Sequence, residues 1–209
     1  MNNAKVRTIG FARYEKRSTA STEALLEACL RWRHEFLDQQ PGILGHRMLG
    51  NLQGHYADVI LAEDRESFEA MAAAHPKAPS STALLELLDP STIVLRTNDV
   101  LGGPLCVPTD FSCVEYGTFC AKPGEVSDVS SIIGASMKIE QDYLPRHPES
   151  RGHAVARVDD ETFSEIAFVH TLAAARRICG GYLDDPACAD LLVQFDPDST
   201  DLDFWFVLA

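Results

Sequence analysis

The sequence has little positive charge. Its 209 residues include 18 Lys and Arg against 31 Asp and Glu, so the formal net charge is −13. An acidic surface repels nucleic-acid phosphates and anionic lipid headgroups, so we expect neither nucleic acid nor a membrane as a partner. The first residues lack the apolar run of a signal peptide, and no apolar run approaches the roughly 20 residues that cross a bilayer. We therefore expect a cytoplasmic protein.

Short motifs of the common enzyme classes are also missing. The sequence contains no Walker A loop and no GxGxxG, GxSxG or HExxH pattern. Its six cysteines form no CxxC pair and no CxxC…HxxxH spacing, so we expect free and mostly buried thiols. Because none of these patterns indicates a cofactor or a metal ion, we predict neither.

The main feature that is present is an internal repeat. The stretches QPGILGH (40–46) and HPESRGH (147–153) share a Pro, a Gly and a final His. Residues 23–90 align without a gap on the residues 107 positions later, the spacing of His46 and His153. Many of the matches are prolines and glycines, which occur where the backbone requires them, and this indicates a duplicated unit.

A connector separates the two copies. Residues 98–110 read NDVLGGPLCVPTD, and the Gly-Gly-Pro within this segment favours irregular structure over a helix or a strand. We therefore predict two domains, over residues 5–100 and 109–209.

Each copy has the predicted element order β-α-β-β-α-β. β-Branched and aromatic residues predict the strands, and apolar spacings of three and four predict the helices. In the first copy the strands are 6–16, 43–51, 55–63 and 92–97, and the helices are 18–40, a second one after Asp64, and a short piece at 84–88. In the second copy the strands are 111–120, 152–158, 162–169 and 202–208, and the helices are about 127–145 and 171–180.

This element order is that of the ferredoxin-like unit, so we predict an α+β fold with two such units in tandem. The helices of each unit cover one face of its sheet, and the other face needs cover as well. We therefore expect the two sheets to pack face to face as a pseudo-dimeric α/β barrel. The space between the sheets is the expected ligand cavity.

Three stretches resemble a known family: QPGILGHRMLGN, ADVILAEDRESFEAMAAAHPKAPSSTALLELLDP and TIVLRT. They resemble the dimeric α/β-barrel superfamily and, within it, the antibiotic biosynthesis monooxygenase-like (ABM) domains. The resemblance covers almost all of residues 6–97 and reaches the second copy only through the first. It implies cofactor-free oxygenation of aromatic molecules, haem degradation or lactone isomerisation, among other activities. Of the haem-degrading pattern, only a His on the second helix is matched, by His75.

The alternation of strand 55–62 points to a buried acid–base pair in each copy. Ala57, Val59 and Leu61 would face the helices, so Tyr56, Asp58 and Ile60 would face the cavity between the sheets. His46 and Asp58 both have even residue numbers, so an even register between their two strands would place them on one face. The repeat places His153 and Glu165 at the matching positions. We predict that His46–Asp58 and His153–Glu165 act as catalytic dyads in which the acid orients an imidazole base. Two alternatives are structural hydrogen bonds at the rim and a metal ion that bridges the two histidines.

Five further residues are candidate ligand contacts: Tyr14, Arg47, Tyr56, His75 and Tyr116. Tyr14 and Tyr116, which we match between the copies, could offer phenol hydroxyls, and Arg47 could hold an acidic or phenolic group. Each has a plain structural alternative in packing, a surface ion pair or a helix end.

From this pattern we expect a cofactor-independent monooxygenase, or an isomerase, that acts on a small aromatic or lactone-type molecule in the inter-sheet cavity. Whether the chain is an enzyme stays open at this point. One alternative is a non-catalytic protein of the same fold that binds a small ligand or responds to stress. A homodimer, formed through sheet edges or helices, is a further expectation.

Overall fold

The computed structural model describes residues 5–122 and 128–209. The chain divides into two compact units, and each is described separately below. Unit 1 extends to Thr97 and includes Val207–Ala209, whereas unit 2 comprises Asn98–Phe206. The segment that we predicted as a linker therefore belongs with unit 2. Helices and antiparallel strands alternate in both units, so the fold is of the α+β class. In the part of the chain that the structure describes, no helix has the length and apolar character to cross a membrane.

Unit 1 consists of antiparallel strands and of helices that pack against one face of them. Its strands are β1 (Thr8–Tyr14), β2 (Ile43–Gly50), β3 (Tyr56–Ala62) and β4 (Val94–Val100, of which the first four residues lie in this unit). Its helices are α1 (Thr22–Glu35), α2 (Arg65–Ala74) and α3 (Pro79–Leu85). The strand order is β2-β3-β1-β4. The third helix begins earlier than the short piece predicted at 84–88, because Pro79 occupies its first turn, where its missing N–H costs nothing.

Local sequence explains where α1 begins and how the chain then turns into β2. The Ser21 hydroxyl accepts a hydrogen bond from the backbone N–H of Ala24, which caps the first turn. Leu25, Cys29 and Trp32 recur at helical spacing and form the buried face. After the helix the chain turns at Gly42, which has a φ of +75° that other residues rarely adopt. This turn sets the direction of β2.

Unit 2 repeats the plan. Its strands are β5 (Cys113–Cys120), β6 (Ser150–Arg157), β7 (Thr162–Val169) and β8 (Asp201–Val207), in the order β8-β5-β7-β6. Its helices are α4 (Val129–Lys138), α5 (Leu172–Gly181) and α6 (Ala189–Leu192). The predicted helix began at residue 127, which lies outside the described residues. The Asp128 side chain caps α4.

The structure reverses the two faces that we assigned to β3. Asp58 and Ile60 face the helices, since Asp58 contacts Cys29 of α1 and Ile60 packs in the same core cluster as α1 and α2. Ala57, Val59 and Leu61 lie on the opposite face of the strand and are also buried. The prediction was wrong because both faces are buried, so the alternation fixes which residues share a face but not which face the helices cover.

The strand register also corrects one pairing between the copies. Tyr14 lies opposite Tyr56, and Phe119 lies opposite Phe163. Because Tyr56 and Phe163 are equivalent in the repeat, Tyr14 corresponds to Phe119. The predicted match of Tyr14 with Tyr116 was wrong because the spacing between the first strand and the helix differs between the two copies.

Candidate functional site

Two neighbouring strands of unit 1 bring His46 and Asp58 together. His46 of β2 lies opposite Ile60, and Asp58 of β3 lies opposite Met48, so the two side chains are diagonal neighbours on one face. The distance from His46 Nε2 to Asp58 Oδ1 is 2.7 Å, and both side chains are buried. The Cys29 thiol also donates to Asp58 Oδ1, at 3.6 Å. A buried carboxylate needs such partners because an isolated one is costly to desolvate.

A cavity of about 180 Å³ adjoins this pair on the helix side of the sheet. Its wall is mainly apolar, with Ile60 from the sheet and Phe68 and Met71 from α2. The residues of its lining that carry polar groups are Tyr14, Trp32, Asp58 and His75. A concave apolar space with a few convergent polar groups is the usual form of a small-molecule site.

Three buried polar atoms around the pair make no hydrogen bond of good geometry with the described residues, although the Tyr14 hydroxyl does interact with the Asp58 carboxylate. They are Tyr14 Oη, Trp32 Nε1 and His46 Nδ1. Tyr14 and Trp32 line the cavity and are only 2% and 3% exposed. An unmet buried donor costs about 1–3 kcal/mol, so most proteins avoid it. A ligand with an acceptor oxygen would satisfy both cavity donors.

Burial decides the protonation of the groups in this cavity. It lowers the pKa of His75, although the Asp58 carboxylate acts in the opposite direction, so His75 is a neutral base at neutral pH. Burial, together with the nearby Asp58 charge, raises the pKa of Tyr14 well above its ordinary value. Burial and Asp58 also raise the pKa of the Cys29 thiol. Tyr14 and Cys29 therefore keep their protons.

In unit 2 the corresponding histidine is engaged on both sides. His153 Nε2 lies 2.9 Å from Glu165 Oε1, and His153 Nδ1 lies 3.2 Å from Glu140 Oε1. Burial alone would lower the pKa of His153, but the two carboxylates outweigh it and raise the pKa to about 9. His153 is therefore an imidazolium ion at neutral pH. Burial and the Glu165 charge raise the pKa of neighbouring Glu115 to about 8, so that carboxyl is largely protonated.

Substitutions at matching positions account for the difference between the units. Glu140, which binds His153 Nδ1, corresponds to Arg33, so His46 Nδ1 meets no carboxylate. The cavity residues of unit 1 are replaced as well: Tyr14 by Phe119, Trp32 by Ile139, and His75 by Tyr182. All three replacements belong to the packed core of unit 2.

Unit 2 has a larger cavity, of about 430 Å³, between α4, β6 and residues 100–106. Volume alone would favour it as the site. Its polar lining is already engaged, however, because Glu140 binds His153 and Arg151 donates to the carbonyls of Pro148 and Ser150. We favour the smaller cavity of unit 1, where Tyr14 Oη and Trp32 Nε1 make no hydrogen bond of good geometry with the described residues.

The structure places the other predicted ligand contacts in different surroundings. Arg47 donates to the carbonyl of His46 and does not line the cavity of unit 1. The Tyr56 hydroxyl pairs with Thr22 at the start of α1. Tyr116 donates to Asn98 in unit 2. Of the five candidates, Tyr14 and His75 line the cavity.

Sequence reasoning missed several residues of the two clusters: Cys29, Trp32, Glu115 and Glu140. Cys29 and Trp32 lie on the apolar stripe of α1 and read as ordinary core residues. Only their spacing, which places them one turn apart on the face that covers β2 and β3, could have connected them with Asp58.

Neither a family model nor a curated protein matches this chain. Solved structures share its fold. A provisionally named monooxygenase from Fusobacterium nucleatum has a TM-score of 0.68 at 11% identity, over 98% of this chain and 93% of its own. A second one, from Lactobacillus acidophilus, has a TM-score of 0.66 at 8% identity, over 96% and 94%. A haem-binding protein from Thermus thermophilus has a TM-score of 0.63 at 12% identity, over 98% and 92%. Identities this low show a common fold and leave the activity open.

Proposed function

We propose that unit 1 is the active site of a cofactor-independent monooxygenase for a small aromatic molecule with an acidic hydroxyl. The observation that carries this proposal is the apolar cavity in which Tyr14 and Trp32 offer unmet donors beside Asp58 and neutral His75. The monooxygenase names of two proteins with this fold agree with it.

We further propose that the two units are ferredoxin-like repeats of an ABM-type domain that arose by duplication. The support is the equal strand order in both units and the equivalent placement of His46–Asp58 and His153–Glu165. On this proposal the second copy has lost the cavity groups and keeps a structural role.

In the proposed reaction, His75 takes the hydroxyl proton of the substrate. Because burial lowers its pKa, His75 is neutral at neutral pH and has a nitrogen that can take the proton. The charge of Asp58 stabilises the imidazolium that forms. His46 acts through Asp58, which it holds by the 2.7 Å hydrogen bond, and is a positioning residue. Tyr14 and Trp32 donate to the substrate oxygen as negative charge develops there.

The deprotonated ring then supplies the electrons for O₂. A naphtholate is nucleophilic at the ring carbon para to its oxygen, and that carbon forms the new C–O bond. For 1-naphthol the balance is C₁₀H₈O + O₂ → C₁₀H₆O₂ + H₂O, so one oxygen atom enters the product and the other leaves as water. The substrate provides all the electrons, and the apolar wall of Phe68 and Met71 protects the anion from water.

Haem is suggested by the Thermus thermophilus protein of this fold, but the cavity residues in the described part of the chain do not fit it. Haem iron requires an axial ligand, commonly a His with a free nitrogen. Carboxylates occupy both nitrogens of His153 in the larger cavity. His75 faces a cavity of about 180 Å³, which is far smaller than a porphyrin. The reaction proposed here therefore does not use haem.

The test is turnover of 1-naphthol and related hydroxyarenes under ¹⁸O₂, without added cofactor. We expect one ¹⁸O atom in each quinone product. Replacing the base by His75→Gln should lower kcat/KM by about a hundredfold or more. The matched control is Tyr182→Phe at the equivalent position of unit 2, which should leave the rate unchanged.

Binding of these compounds without any product would contradict the oxygenase. It would instead support the alternative of a non-catalytic protein that binds a small ligand. Incorporation of ¹⁸O that is equal in the wild type and in His75→Gln would contradict the assigned base.

A further inference from the structure

We propose that Cys29, His46 and Asp58 form a binding site for a thiophilic divalent metal ion, such as Zn²⁺ or Co²⁺. The site shares His46 and Asp58 with the cofactor-free reaction proposed above, so the metal-bound and metal-free forms are alternative states of this cluster, and the reaction uses the metal-free form. The three side chains come from three different elements, α1, β2 and β3, and all are buried. The fold therefore brings three potential metal ligands together in the core of unit 1.

The distances fit a single ion. One ligand atom from each residue lies within 4.8 Å of the other two. The Cys29 Sγ to Asp58 Oδ1 distance is 3.6 Å, and two such ligands on one tetrahedral Zn²⁺ would be about 3.6 Å apart, given bonds of about 2.3 and 2.1 Å. The His46 Nε2 to Asp58 Oδ1 distance of 2.7 Å must open by about 0.7 Å to fit the same geometry.

That opening is feasible because the His46 ring is hydrogen-bonded only through Nε2 among the described residues. Nδ1 has no hydrogen-bond partner among the described residues, and the ring also packs against Trp32 in a T-shaped arrangement, with centroids 5.2 Å apart. For Nε2 to bind the ion, the imidazole must carry its proton on Nδ1. No existing hydrogen bond of Nδ1 opposes this change.

The charges also balance. A divalent ion with a thiolate, a carboxylate and a neutral imidazole has no net charge, so the buried cluster gains no uncompensated charge on binding. Cys29 keeps its proton in the metal-free protein, since burial raises the pKa of the thiol. Binding must release that proton, so the affinity should rise with pH.

Asp58 gives the ion a route into the cluster, because it lines the cavity of unit 1. Three protein ligands leave a fourth coordination position for water or a small ligand. A thiolate, an imidazole and a carboxylate favour Zn²⁺ or Co²⁺ over Mg²⁺ or Ca²⁺, which prefer ligands that are all oxygen.

The equivalent positions of unit 2 do not form such a site. Ser136 replaces Cys29, and both nitrogens of His153 are bonded to carboxylates. Unit 2 nevertheless has a thiol beside its acids, since Cys179 hydrogen-bonds to Glu115 and lies near Glu165. Cys179, which is half-buried, therefore offers a control for a thiol in an acidic cluster.

The experiment is titration of the chelator-treated full-length protein with Co²⁺, followed by absorption. We expect one Co²⁺ per chain, a sulfur-to-cobalt charge-transfer band, and an affinity that increases with pH. Cys29→Ser should abolish the band, and Asp58→Asn should weaken binding by about tenfold or more. Cys179→Ser should leave the band and the affinity unchanged.

Loss of the band in Cys179→Ser, or its survival in Cys29→Ser, would overturn the site. So would the absence of any band in the wild type. Circular dichroism confirms that each variant is folded before titration, and Asp58→Asn keeps every thiol, so a loss of affinity there reports the carboxylate. Oxygenation of 1-naphthol is measured separately on metal-free protein, so each of the two proposals can fail alone.

Discussion

His46 and His153 occupy equivalent positions in the two units, yet their surroundings differ. His46 makes one side-chain hydrogen bond, to Asp58, and its Nδ1 has no partner in the described structure. His153 is held by Glu165 on one side and by Glu140 on the other. The units also differ beside these residues, because Tyr14 and Trp32 border a cavity whereas Phe119 and Ile139 belong to a packed core.

If the two units arose by the proposed duplication, this difference shows how two copies of one fold can divide their roles. Unit 1 keeps donors without a hydrogen bond of good geometry at its cavity, which costs stability, and such cost is typical of functional sites. Unit 2 pairs each nitrogen of its histidine and fills the equivalent space with apolar side chains, which favours stability. The predictions below test this division, in order of expected effect.

Removing the acid of each pair should give the largest difference. Asp58→Asn keeps the shape of the side chain but removes the charge that stabilises protonated His75, so kcat/KM for 1-naphthol should fall by about 10²-fold or more. Glu165→Gln in unit 2 should leave kcat/KM unchanged. Steady-state kinetics measure both, and equal losses in the two variants would end the distinction between the units.

The pH dependence of stability should come mainly from unit 2. The pKa of His153 is raised from 6.5 to about 9. Its contribution to the free energy of unfolding is therefore complete below pH 6.5 and is lost as the pH rises through 9. The pKa of Glu115 is raised from 4.5 to about 8, so its contribution to the free energy of unfolding is lost as the pH rises between those values. The free energy of unfolding should fall by a few kcal/mol between about pH 6 and about pH 9.

Urea unfolding at several pH values measures this loss. Glu115→Gln removes one of the two titrating groups and should flatten the profile. His75 in unit 1 has a lowered pKa, so its contribution has the opposite sign and is lost as the pH falls below 6.5. A wild-type profile that is flat up to about pH 9 would contradict the charged state of His153.

The space occupied by Phe68 in unit 1 is the next test. Gly10 lies opposite Ile60, and a Cβ at Gly10 would collide with the Phe68 ring. The equivalent positions in unit 2 hold Glu115 on the strand and Ala175 on the helix, so there the larger side chain is on the strand and not on the helix. Gly10→Ala should destabilise the protein by about 1–3 kcal/mol, but by less in a Phe68→Ala background. Urea unfolding of the four proteins in this cycle gives the coupling energy, and purely additive effects would rule out the contact.

The smallest effect concerns the Gly42 turn that leads into β2 in unit 1. Gly42→Ala places a side chain at a φ of +75°, where it would also meet Ser67, and should cost about 1 kcal/mol or more. Glu149 stands at the equivalent position without a positive φ and pairs with Arg177 on the surface. Glu149→Ala should cost about 1 kcal/mol or less. If thermal unfolding shows a larger loss of stability in Glu149→Ala than in Gly42→Ala, the role assigned to the Gly42 turn is wrong.

Much of the architecture could be predicted from the sequence, because local signals agree with it. Asp64 caps α2, Ser21 caps α1, and the alternation of β3 places Asp58 on the same face as His46. The face that the helices cover could not be predicted, since both faces of β3 are buried. Only the packing of α1, which places Cys29 beside Asp58, decides it.

The candidate site was predictable only in part for a similar reason. Equal spacing in the repeat identified His46–Asp58 and His153–Glu165, but it also suggested that the two pairs are equivalent. Their difference arises from Glu140 and Arg33, which lie on helices far from the strands in sequence. Contacts of this kind depend on tertiary packing, which a strand pattern does not encode.

The central claim is that unit 1 alone binds the substrate, and the two tryptophans test it directly, because Trp32 lines the cavity of unit 1 and Trp205 is buried in β8 of unit 2. The measurement is the quenching of tryptophan fluorescence by 1-naphthol under anaerobic conditions. In Trp205→Phe, which keeps Trp32, quenching should saturate with the affinity of the wild type. Saturable quenching of Trp205 in Trp32→Phe, with no response of Trp32 in Trp205→Phe, would place the ligand in unit 2 and contradict the account.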